Sequence, residues 1–296
     1  MKMVSRILLT LTLSLFLFAA CDDDDSNNSN NVNNVNNTNN INNTNNVNNV
    51  NNTNNVNVWD TIVTVSVDGS EIPVNLADID RADWDGIEAI RLTRVIEQAV
   101  LELPWNYHYN FIGNDGYNVL TEKLDEDLAR LPYYGELDSG FLFEEDGGLR
   151  IGWDETLGFP GSLGVRGMDG GIIELHTFDA SKFLVTADGT RLMVDVSTFD
   201  TVDATDYKNP ELGMIPMVPM TSIFDYLALT DPEGLVFKIY GNDGFANNDT
   251  NLMPYENMTY SYIEPSEKKL IIEEDWDTLE CCWRVRDIVV FKGIRE

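Results

Sequence analysis

Apolar and polar positions alternate in three different ways along this chain. Between Ile7 and Phe18 the run is almost wholly apolar, broken only by Thr10, Thr12 and Ser14. Between Asn27 and Val56 the chain repeats Asn-Asn-x, where x is Val, Thr, Ile or, once, Ser. From Trp59 onward, apolar and aromatic residues recur at the periods of helices and strands. Leu92, Val95, Ile96, Ala99 and Leu103 share one helical face and Pro104 ends the run, so the spacing predicts a core-facing helix over 92–103. Tyr107, Tyr109 and Phe111 alternate with other positions and lead into Gly113-Asn114-Asp115-Gly116, a strand entering a turn whose residues tolerate positive φ. Further strands are expected at Gly140-Phe141-Leu142-Phe143, Leu149-Arg150-Ile151 and Gly171-Ile172-Ile173.

The same signals recur in the second part of the chain. Val65-Ser66-Val67-Asp68-Gly69-Ser70 returns as Val185-Thr186-Ala187-Asp188-Gly189-Thr190, a strand, a tight turn and a returning strand. Phe111-Ile112-Gly113-Asn114-Asp115-Gly116-Tyr117 returns as Ile239-Tyr240-Gly241-Asn242-Asp243-Gly244-Phe245, and Gly161–Arg166 returns as Cys281–Arg286. Three blocks in one order argue for a duplication. Their offsets place extra residues in the second copy near Tyr207 to Gly213 and a shortening after its Gly-Asn-Asp-Gly turn, both where loops are expected. The expected fold is strand-rich α+β: two tandem homologous domains, 59–178 and 179–296, each a mixed β structure with one main helix.

The first apolar run follows Lys2 and Arg6 and closes on Ala19-Ala20, the order of a secretory signal over residues 1–20. It is shorter than the ~20 residues a membrane-crossing helix needs. Phe18-Ala19-Ala20-Cys21 resembles the bacterial lipobox, with Phe18 standing where Leu is usual. That resemblance implies lipidation of Cys21 and anchoring in a bacterial membrane, inner or outer, whereas ordinary cleavage after Ala20 would leave a free thiol. The Asp/Asn-rich stretch 21–58 has only isolated small apolar residues to bury, so it is expected to be a disordered tether. Thirty such residues span roughly 30 Å as a coil.

Charge narrows the classes further. The formal net charge is −31 at pH 7, which excludes the basic footprint of a nucleic-acid binder. Such acidity is either solvation or a field for a cation or basic partner. The three Cys are Cys21 and the adjacent pair Cys281-Cys282. This is no disulfide framework, because a vicinal bridge is strained, and no zinc-type spacing is present.

Each copy resembles a reduced sulfite-oxidase-type molybdopterin-binding domain. Asp115-Gly116-Tyr117 and Gly147-Gly148-Leu149-Arg150-Ile151 carry the likeness in the first copy, with Asp243-Gly244-Phe245 and Lys268-Lys269-Leu270-Ile271-Ile272 in the second. The resemblance implies a Cys thiolate on molybdenum and basic residues on the pterin phosphate. The first copy has no Cys, and Cys281-Cys282 lie among Glu273, Glu274, Asp275, Asp277 and Glu280, an environment that repels phosphate and is only partly offset by Arg284 and Arg286. No catalytic residue carries over.

The repeated Asp115-Gly116 and Asp243-Gly244 are candidate ligand or turn positions, and Cys281 and Cys282 a candidate thiol site. His108 and His176, the two histidines, have no nucleophile-elbow sequence beside them. Asp78, Asp80, Asp83 and Asp85, and Asn242, Asp243, Asn247, Asn248 and Asp249, are dense in hard oxygen ligands without forming an EF-hand, and read as solvated loops. Tyr133, Tyr134, Trp153, Tyr255, Tyr260, Tyr262, Trp276 and Trp283 line either a core or a groove. The sequence therefore leads to an exported, membrane-anchored envelope lipoprotein, held to the lipid bilayer through acylated Cys21, whose folded part is a non-enzymatic binding module for an extracytoplasmic ligand or protein, with no cofactor or metal expected. An exported molybdopterin-type oxidoreductase using Cys282 and a calcium-stabilised adhesin are the alternatives.

Overall fold

The computed structural model describes residues 57–154, 163–206, 209–246, 252–272 and 285–295. The leader, Cys21 and most of the tether lie outside the described residues, as do Asn247 to Asp249, Trp276, Cys281, Cys282 and Trp283.

The first half runs β1 (Ile62–Val67), β2 (Ser70–Asn75), β3 (Ala82–Trp84), β4 (Ile87–Arg91), α1 (Leu92–Gln98), β5 (Tyr107–Ile112), α2 (Val119–Lys123), β6 (Gly140–Glu145), β7 (Gly148–Trp153) and β8 (Ile172–Thr177). The second runs β9 (Lys182–Ala187), β10 (Thr190–Asp195), β11 (Val202–Thr205), β12 (Met214–Pro219), α3 (Met220–Leu227), β13 (Leu235–Gly241), β14 (Met253–Pro254), α4 (Tyr255–Met258), β15 (Ser261–Glu264), β16 (Lys269–Ile272) and β17 (Ile288–Arg295). Residues Asn54–Glu296 make one compact unit, and the described part is strand-rich with several sheets.

Strand order repeats between the halves. One sheet is ordered β2-β1-β8-β5 and its counterpart β10-β9-β17-β13-β14; the others are β3-β4-β6-β7 and β11-β12-β15-β16. In each half the first strand pairs in parallel with the last, Val65 opposite Ile173 and Val185 opposite Phe291. The other strand pairs among the described residues are antiparallel. The opening hairpins turn on Asp68-Gly69 (φ 48° and 79°) and Asp188-Gly189 (φ 49° and 77°), the twin positive values of a type I′ turn. In the first half, Val63 and Val65 of one sheet face Ile90, Leu142 and Ile151 of the other, with Val95 and Ile96 of α1 completing the core. The second core repeats this with Phe183, Val185, Val218, Ile263, Leu270, Ile223 and Phe224.

Three details differ from the sequence reading. Helix α1 stops at Gln98, well before Pro104: Val100 adopts φ 52°, which turns the chain out of the helix and leaves Leu103 on the surface. Ala228 does the same after α3, at φ 47°. Strand β5 does not simply alternate, because His108 and Asn110 are buried along with Tyr109 and Phe111; both of its faces are covered. Finally, Ile151 and Leu270 occupy equal places, each donating its N–H to the carbonyl of Val165 or Val285. The Lys268–Ile272 match is therefore displaced by two residues from the one read in the sequence.

A third buried cluster joins the halves. Ala129, Tyr133 and Phe178 of the first half pack on Leu184, Val289 and Val290 of the second, flanked by Trp105, Met193 and Tyr240. Ala129 and Tyr133 belong to a segment holding the 3-10 turns Leu128–Arg130 and Tyr134–Ser139; among the described residues the shorter connection of the second half shows neither. Arg191 of β10 grips this segment, donating from Nε to the Ala129 carbonyl (2.9 Å), from Nη2 to the Leu131 carbonyl (2.8 Å), and from Nη1 and Nη2 to the Glu136 carboxylate (2.5 and 3.1 Å). Burial raises the Glu136 pKa, and Arg191 acts against that rise.

Replacing Arg191 by Met leaves the Glu136 carboxylate buried without its cation and is expected to cost about 3–5 kcal/mol in urea unfolding. Arg191→Met combined with Glu136→Leu is expected to regain most of that loss.

Candidate functional site

The repeated Asp-Gly positions are built alike. Asp115 accepts the Tyr117 N–H through its own carboxylate at 2.9 Å, and Asp243 accepts that of Phe245 at 2.9 Å. Gly113 and Gly241 each receive and return backbone bonds within the turn. A Cβ on Gly113 would stand 2.5 Å from the Arg166 carbonyl, and one on Gly241 2.7 Å from that of Arg286. Each carboxylate is thus engaged in holding a turn. The glycines that follow differ: nothing lies within 4 Å of a Cβ at Gly116, whereas one at Gly244 would meet the Trp105 indole at 2.7 Å. Trp105 stacks on Tyr240 with 4.5 Å between centroids and 16° between planes. Gly244 is therefore where the first half seats its tryptophan on the second.

His108 is the other unusual group. It is buried, its ring lies 3.8 Å from that of Phe178, and neither ring nitrogen has a hydrogen-bond partner. Burial, then the charges of Arg191 and His176, lower its pKa to about 3. The Leu131 carbonyl opposes this weakly and is itself bonded to Arg191. His176 sits opposite His108 on β8 and bonds Glu174 at 3.1 Å, and Glu174 also accepts from Asn110 at 2.9 Å. Among the described residues no serine, threonine or cysteine bonds either imidazole, so no activated nucleophile is assembled there.

The acidic segments are occupied locally. Asp78 receives the Asn75 amide, and Asp83 receives the Gly86 N–H at the β3–β4 turn. Among the described residues no group of three His, Cys, Asp or Glu gathers as a metal would require. The described candidate aromatics do not gather in one groove. Tyr133 and Tyr134 lie beside Trp105, Trp153 donates to the Leu163 carbonyl beside the first core, Tyr255 packs on Phe224, and Tyr260 is exposed. A phosphate-bearing pterin needs a cationic cradle. Beside the first repeated turn, Arg150 and Arg166 both turn to Glu145, and the carbonyl of Arg166 backs Gly113. Both guanidinium groups beside that turn are therefore paired with one carboxylate.

Comparison with protein-family models, with curated proteins and with solved structures finds no match for this chain. Trp105, Glu136 and Arg191 had no motif to single them out. Their one sequence signal is the length difference between the copies after the Gly-Asn-Asp-Gly turn.

Gly116→Ala is expected to cost about 1–2 kcal/mol for the left-handed backbone alone. Gly244→Ala should cost about 1–3 kcal/mol more because of Trp105; thermal unfolding in a Trp105→Ala background should erase the difference. For His108 the folded pKa lies below the ordinary 6.5, so its contribution to stability is present above pH 6.5 and is lost as the pH falls toward 3. At pH 5 the loss is about 2 kcal/mol. Urea unfolding of the native chain and of His108→Leu should differ by that amount more at pH 7.5 than at pH 5, since carboxylate protonation acts on both alike.

Proposed function

We propose that this chain is an exported lipoprotein of the bacterial cell envelope, anchored through acylated Cys21, and that its folded part is a non-enzymatic binding module of two homologous domains, 59–178 and 179–296. The observation that carries the reading is the repeated strand order with the same parallel closure in both halves. It supports a duplication that kept a scaffold, while the residues common to both copies are spent on turns. A tether between the acyl group and such a module lets it clear the membrane surface and meet a partner at raised local concentration.

Mass spectrometry of the chain recovered from membranes of a bacterial host, with elemental analysis of the same sample, tests both parts. The expected result is a mature chain beginning at an acylated Cys21, membrane release in Cys21→Ser, and no stoichiometric molybdenum. A soluble chain cleaved after Ala20 would overturn the anchor; stoichiometric molybdenum would overturn the binding module in favour of redox chemistry.

A further inference from the structure

The outward faces of the two parallel-closed sheets carry the same rungs with opposite charge. In the second half, one rung across β10, β9, β17 and β13 reads Arg191, Thr186, Lys292 and Lys238. This rung holds Glu136 of the first half, Arg191 by direct bonds and Lys292 through its charge. The rung at the same register in the first half reads Glu71, Ser66, Glu174 and Asn110. Next to it, the second half places Met193, Leu184, Val290 and Tyr240, covered by Tyr133 and its neighbours. The first half places Pro73, Thr64, Ile172 and Ile112 there, and all four are at least partly exposed. The seat that Trp105 fills at Gly244 is open at Gly116.

We propose that the β2, β1 and β8 part of this face, bounded on β5 by the buried Asn110 and the half-buried Ile112, is a docking surface for a basic, aromatic-bearing protein segment, a proposal that rests on the binding-module reading and names its partner. A lysine or arginine of the partner sits on Glu71 and Glu174, and its aromatic ring lies over Ile112 and Gly116, as Trp105 lies over Tyr240 and Gly244. Asn110 and His176 hold the Glu174 carboxylate in place, and Glu71 has no ion-pair partner among the described residues. The net charge of −31 draws such a segment in and disfavours a second copy of this chain.

The test is a titration of the whole chain, labelled at isoleucine methyl groups, with the peptides Lys-Trp-Lys and Glu-Trp-Glu and with spermine, followed by NMR. The expected result is that Lys-Trp-Lys shifts the Ile62, Ile112 and Ile172 methyls, and the other two do not. In Glu71→Lys/Glu174→Gln, the first position exposed and the second half-buried, Lys-Trp-Lys should bind roughly three- to tenfold more weakly, with the remaining methyl spectrum unchanged. Shifts at Ile87 or Ile215 instead would overturn the face and leave a binding module in place. Equal shifts with spermine would overturn the aromatic part, peptide-free dimerisation through the same methyls would overturn the choice of partner, and no shift with any probe would overturn the proposal altogether. None of these outcomes depends on whether Cys21 is acylated.

Discussion

Each half of this protein depends on a parallel pairing between its first and last strands, β1 with β8 and β9 with β17. A parallel pair cannot be joined by a tight turn, so everything between the two strands must leave the sheet and return. The excursion supplies the second sheet, the helix and the fifth strand of the half, and the valines of β1 and β9 find their core only because it folds back over them. Closure also brings β8 to its end at Thr177 and β9 to its start at Lys182, so a very short link leaves the halves little freedom to separate.

With both cores closed, each half still has an outward sheet face. The second half resolves this by covering: the segment around Ala129 and Tyr133 lies on Leu184 and Val290, and Arg191 fastens it through Glu136 and two carbonyls. A buried ion pair carries a desolvation cost that offsets much of its attraction, and its stronger effect is on register, since a guanidinium engaged by four acceptor atoms tolerates little displacement. The same packing seals His108 away from water beside a cation, which explains a neutral imidazole there without any catalytic role. The first half leaves the β2, β1 and β8 part of the corresponding face exposed and acidic, so the same sheet face is an internal joint in one half and open to solvent over most of its strands in the other.

Much of the local architecture was legible in the chain. The Asp-Gly and Gly-Asn-Asp-Gly signals located real turns, the duplicated order of strands and helices followed from three short blocks, and the length changes fell where the connections differ. The helix end was misjudged because Pro104 looked like the stop signal, while the left-handed step at Val100, a residue type that rarely adopts it, gives no composition signal. The alternation in β5 was misread for a different reason. His108 and Asn110 look like solvent-facing positions until a segment from elsewhere in the chain covers them.

The sequence by itself determined the turns, the strand spacing, the doubling and the acidity, because these depend on short-range sterics, on periodicity and on counting charges. Only the tertiary structure decided which sheet face is covered, that Trp105 rests on Gly244, and that Glu136 meets Arg191, a partner 55 residues away. Those contacts depend on how a closed half presents its surface to a distant segment, and no neighbouring residue along the chain carries that information.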